Sequence, residues 1–137
     1  MNKKRHPRPI KIPIMYRFGP EIETKLQLIP HQELDNLLRG VANESAFHTL
    51  AARINVGSIA VRWHWPDNEQ AVNVMDAALA ALVNLGERGH RIGKWGVSGD
   101  EFKAIGAGLN LTDEAQKNLT RRQFNDVLQH VFKVAAK

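Results

Sequence analysis

The sequence predicts an all-α fold, a compact bundle of five to six helices with an extended basic N-terminal arm. Three features point there. From Glu21 onward apolar residues recur at the three- and four-residue steps of a helix. Breakers and cap residues bracket those periodic runs. Strand-like alternation is confined to Ile10–Phe18, where apolar and cationic residues loosely take turns and permit at most one short edge strand. A chain of 137 residues, 43% apolar and 24% charged, is long enough to bury a core of its own. The organisation expected is an arm over 1–17 followed by a single helical domain over 18–137.

Each element follows from its residues. Pro7, Pro9 and Pro13 keep the arm extended, since proline lacks an amide donor and pushes its predecessor out of helical space. Pro20 suits the first turn of a short helix over Glu21–Leu28. Pro30 opens a second helix, His31–Arg39, with Leu34, Leu37 and Leu38 on one face and Gly40 as its stop. Asn43 or Ser45 caps a third, spanning 44–65. On it Phe47, Leu50, Ala51, Ile54, Ser58, Val61 and Trp65 form one stripe, and Val56, Ile59 and Trp63 occupy the other side. Two apolar faces suit a helix central to its bundle or one at an oligomer interface. Gly57 beside Ser58 weakens that helix by about 1 kcal/mol relative to alanine and predicts a close helix crossing there.

Pro66 ends the third helix, and Asp67 or Asn68 caps a fourth that runs to about Gly86. Val72, Met75, Leu79, Leu82 and Val83 make its core stripe, and Asp76 at the margin calls for a cation, Arg53 or Arg62. Glu87–Gly99 is Gly-rich and reads as a loop. Ser98 with Glu101 forms a capping box for a helix carrying Phe102, Ile105 and Leu109. Thr112 then caps a short helix, Asp113–Leu119, and Thr120 with Gln123 caps a last one from Arg121 to about Ala136. Phe124, Val127, Leu128, Val131 and Ala135 are its expected buried side.

Charge is distributed unevenly. The chain holds 19 Lys and Arg against 14 Asp and Glu, a formal net charge of +5. Lys3, Lys4, Arg5, Arg8, Lys11 and Arg17 account for that surplus, because residues 1–17 contain no acid and residues 18–137 contain one more acid than cation. A near-neutral body with a cationic arm suggests a polyanionic partner. Nothing resembles a secretory leader or a bilayer span, so a cytoplasmic protein is expected. With no cysteine, disulfides and thiolate metal sites are excluded.

Catalytic signatures are missing. The six histidines are scattered without a His-x₃-His pair, and no nucleophile elbow, phosphate-cradling loop or dinucleotide fingerprint occurs. No enzyme activity, metal or cofactor is expected. Asp100–Glu101 and Asp113–Glu114 read as first-turn acids favoured by the helix dipole. The segment 87–96 places Arg88, Arg91 and Lys94 beside His90 and Trp95, a pattern suited to phosphate contacts with a base stacked on indole. The competing reading is a surface loop with Trp95 folded back on the core. Arg121 and Arg122 start a helix, where cations are disfavoured unless an anion joins them or Glu114 or Asp126 neutralises them. A helix-turn-helix over 101–119 matches in length, but its second helix offers Asp113 and Glu114 with Lys117 as its only cation, which repels phosphate.

The function expected is a small non-enzymatic nucleic-acid-binding protein, possessing regulatory potential, that uses the arm, the basic Gly-rich loop and the Arg121/Arg122 pair. The alternative is a protein-binding adaptor or a self-associating protein, dimerising through helix 44–65. Contact with anionic lipid ranks below both, for want of apolar anchorage and a cationic helix face.

Overall fold

Apolar stripes and caps produce five α-helices in the computed structural model, which describes residues 20–135: α1 (Pro20–Leu38), α2 (Glu44–His64), α3 (Glu69–Ile92), α4 (Gly99–Asn118) and α5 (Arg121–Ala135). No strand occurs among the described residues. The arm expected over 1–17, its edge strand and its six cations lie outside them. None of the described helices is long and apolar enough to cross a membrane.

The caps form as the sequence predicts. Asn43 accepts from the Ser45 amide at 3.0 Å and Asn68 from the Ala71 amide at 3.0 Å. Ser98 and Glu101 exchange both bonds of a capping box, as do Thr120 and Gln123. Gly40 and Gly93 close α1 and α3 with φ of +74° and +73°, a region costly for a side chain.

Three boundaries differ from the sequence reading, each for a physical reason. The two helices expected over 21–28 and 31–39 are one, with Pro30 inside. Pro30 forfeits one backbone bond, a cost of about 3 kcal/mol, but its own ring is buried, on the same face as Leu34 and Leu37 one and two turns later. The segment 87–92, expected as loop, completes α3, because Gly86 and Gly89 serve contact rather than bending. A side chain at Gly86 would strike the Phe47 ring, and one at Gly89 would strike the Trp95 indole. Thr112 caps nothing. It is buried in the middle of a continuous α4, and its hydroxyl donates to the Gly108 carbonyl at 2.8 Å. The turn at 109–111 and the helix-turn-helix are therefore absent, and Asp113 and Glu114 lie mid-helix.

α2 and α3 run antiparallel, as do α3 and α4. Phe47 meets Gly86 and Arg62 meets Asp76 between α2 and α3, while Arg88 meets Glu101 and Ala78 meets Gly108 between α3 and α4. α1 is antiparallel to α4: His31 contacts Asp113 at 2.9 Å, and Gln27 lies beside Lys117 and Leu119. The parallel pair α2 and α4 crosses closely. At Gly57 a Cβ would overlap Thr112, and at Gly108 it would stand 2.6 Å from the Ala78 methyl and 2.9 Å from Ile54. The crossing expected at Gly57 is this one.

The main core joins α1 to α4 through Leu34, Leu50, Ile54, Met75, Leu85 and Ile105. A second, smaller core of Val56, Ala60, Ala115, Phe124, Val127 and Leu128 seats α5 on α2. Both apolar faces of α2, apart from Trp63, are thus covered within the chain, which makes α2 the central helix. The homodimer expected through 44–65 loses its argument. Val83, expected in the core, is 57% exposed, and Trp63 is 45% exposed against the His130 ring.

Candidate nucleic-acid interface

The candidate residues fall into two groups at opposite ends of the bundle. Arg88, Arg91, Lys94 and Trp95 sit where α3 ends and α4 begins. Arg121 and Arg122 sit where α4 ends and α5 begins. The 20 residues of α4 separate them by about 30 Å at 1.5 Å per residue. Lys3, Lys4, Arg5, Arg8, Lys11 and Arg17 precede α1, whose start lies at the Arg121 end, since Gln27 shares a small cavity of about 180 Å³ with Lys117, Thr120 and Arg121.

At the α3–α4 end, two of the four side chains are engaged internally. Arg88 donates to Glu101 at 2.6 and 3.1 Å and to the Gly96 carbonyl at 2.9 Å. The guanidinium holds the Glu101 carboxyl below its ordinary value, against a smaller opposing effect of burial, and the carboxylate raises Arg88 in turn. This fork ties the segment 93–98 to α4. Trp95 folds onto Gly89 and lies 5.4 Å from the Phe47 ring and 5.0 Å from His90, so its indole is partly covered. Arg91 and Lys94 are exposed and pair with no carboxylate among the described residues.

At the α4–α5 end, Thr120 and Gln123 satisfy each other's backbone amides, and Arg121 and Arg122 occupy the exposed first turn. The dipole there is positive, so two cations cost a few tenths of a kcal/mol each unless an anion joins them. Lys117 stands one turn back on α4 and touches Glu114 at 3.6 Å.

Two further arginines of the body pair with acids of the chain. Arg62 pairs with Asp76, which is one of the two partners the sequence allowed. Arg53, 8% exposed, donates to Asp113 at 2.9 Å and Gln116 at 2.8 Å and lies over the Phe124 ring. Asp113 also meets His31, so one carboxylate ties α1, α2 and α4 together. Glu44 bonds His90 at 2.8 Å and lies 3.4 Å from His48, and the His90 contact lowers its pKa. Sequence reasoning missed the pairings of Asp113 with Arg53 and His31 and of Glu44 with His90 because their members are far apart in the chain, 60 residues for Arg53 and Asp113, with no local spacing to mark them. No group of three His, Asp or Glu among the described residues could hold a metal ion.

Comparisons with protein-family models, with curated proteins and with solved structures find no match.

Proposed function

We propose that this protein binds a nucleic-acid backbone through its N-terminal arm and the adjoining α4–α5 corner. The observation carrying this reading is a juxtaposition. The six arm cations precede α1 in the chain, and α1 starts at the end of the bundle that holds Lys117, Arg121 and Arg122. A tethered cationic strand supplies long-range attraction, and the helix start with its two arginines supplies a fixed phosphate contact. Arg91 and Lys94, at the far end, would extend the footprint only along a long duplex.

The salt dependence of binding tests this. Six arm cations engaged on duplex DNA give a slope of log K against log salt of about −5. Replacing Lys3, Lys4, Arg5, Arg8 and Lys11 together by Gln leaves one of them and should flatten the slope to about −1 plus the corner's share. Arg121→Gln with Arg122→Gln should remove up to about 2 further units of slope. A mobility-shift panel of duplex DNA, single-stranded DNA and structured RNA at two salt concentrations provides the readout. An unchanged slope in the arm variant overturns the arm's role, and no shift on any probe at ~50 mM salt transfers the case to a protein partner.

A further inference from the structure

A groove opens at the same end of the bundle, between the start of α3 and the second half of α4. It consists of two adjoining cavities of about 380 and 460 Å³ that share Asn68, Ala71, Leu111 and Glu114. Val61, Val74 and Ala115 extend the apolar floor, and Trp65 walls one end. One acid, Glu114, lines both cavities with Lys117 at 3.6 Å from it, and the exposed Asp67 and Glu69 flank Asn68 in the chain.

We infer that this groove receives the apolar half of the chain's own N-terminal arm, residues 10–16. The sequence Ile10-Lys-Ile-Pro-Ile-Met-Tyr-Arg-Phe18 places Ile10, Ile12, Ile14 and Tyr16 at every second position. In an extended chain those residues share one side, and Lys11 and Arg17 share the other. An all-helical body offers no sheet edge to such a strand, so its apolar side needs a groove. Prolines 9 and 13 suit an extended ligand that makes few backbone bonds of its own.

Reach and charge agree with this occupant. α1 begins near the end of α4, and Gln27 lies beside Lys117 and Leu119. Ile14 precedes Pro20 by six residues, up to about 20 Å of extended chain, and Ile10 by ten, up to about 33 Å. Those lengths suffice to pass the end of α4, a helix about 10–12 Å across. With Ile12 and Ile14 on Leu111 and Ala71, the outward cations meet Glu114, Asp67 and Glu69. A tether of this length holds the segment at a millimolar effective concentration, which favours it over the arm of a second copy. Residues 1–9, with Lys3, Lys4, Arg5 and Arg8, then project from an anchored base. The inference does not depend on nucleic-acid binding.

The chain has no cysteine, so a single introduced one labels cleanly. A nitroxide on Asn110→Cys, an exposed residue lining the groove, should broaden the amide resonances of Ile10, Ile12 and Ile14 beyond detection or nearly so. The same label on Glu87→Cys, exposed toward the other end of α3, should leave them unaffected. Adding Ile12→Asp and Ile14→Asp should restore the Asn110-labelled spectrum. Equal sharpness of the arm resonances under both labels overturns the proposal. So does broadening that appears only when labelled and isotopically enriched chains are mixed, which assigns the groove to the arm of a second copy.

Discussion

Glu101 occupies the first turn of α4 with its side chain 12% exposed, and three partners converge on it: both guanidinium nitrogens of Arg88 and the Ser98 amide at 2.9 Å. Its pKa is lowered, chiefly by the Arg88 bond. A carboxyl whose folded pKa lies below its unfolded value stabilises the fold above that unfolded value, and the stabilisation is lost as pH falls through the folded one. Here the loss begins below the ordinary glutamate value of 4.5 and proceeds into more acid solution. Glu101→Gln keeps the shape but removes the charge, and Arg88 is a third exposed, so water recovers part of the loss. The variant should be less stable by about 1–2 kcal/mol at pH 7. Urea unfolding at pH 7 and pH 3 should show that deficit smaller in acid. A deficit that persists unchanged at pH 3 would mean that the amide mispacks and the charge contributes nothing.

Gly57 and Gly108 set the spacing of α2, α3 and α4 at the level of elements. With Thr112 and Ala78 they let three helix backbones approach where a methyl group would collide. Gly57→Ala should cost about 1–3 kcal/mol by overpacking, although alanine is the better helix former by about 1 kcal/mol. Asn55→Ala, exposed on the same helix, serves as the comparison and should change stability by less than about 0.5 kcal/mol. A thermal midpoint for Gly57→Ala at or above the parent's would show that the crossing relaxes freely. Gly57 was legible in the sequence because it interrupts a strong stripe beside another small residue. Gly86 and Gly89 were not, since a glycine that bends a chain and a glycine that admits an aromatic ring look alike until Phe47 and Trp95 are in place. Pro30 and Thr112 misled in the same way: each is a local boundary signal, and each is itself buried within an apolar face, with Leu34 and Leu37 in one case and Ile105, Leu109 and Ala115 in the other. Caps at Asn43, Asn68, Ser98 and Thr120 were readable because their chemistry closes within three residues.

Across the whole molecule, the charge imbalance was visible in the sequence, and the end of the bundle at which α1 begins was not. That end depends on α1 running past Pro30 and antiparallel to α4, a matter of long-range packing. The same long-range packing divides the apolar interior into unequal parts. The main core unites α1 to α4, whereas α5 rests on a smaller core that it shares with α2 and Ala115. Phe124, 1% exposed, is the largest side chain buried in that smaller core, and Arg53 lies over its ring. Phe124→Ala removes about 3–5 kcal/mol of packing from a unit with few other anchors. A helix held by so little should open ahead of the rest. Native-state hydrogen exchange on this variant should show α5 amides losing protection, while amides around Leu50, Met75 and Ile105 keep theirs. Arg121 and Arg122 ride on α5, so the variant should also weaken any polyanion contact made at that corner while sparing the arm's share. Uniform loss of protection through all five helices would instead make the two cores one cooperative unit, with α5 as firmly held as the helices beneath it.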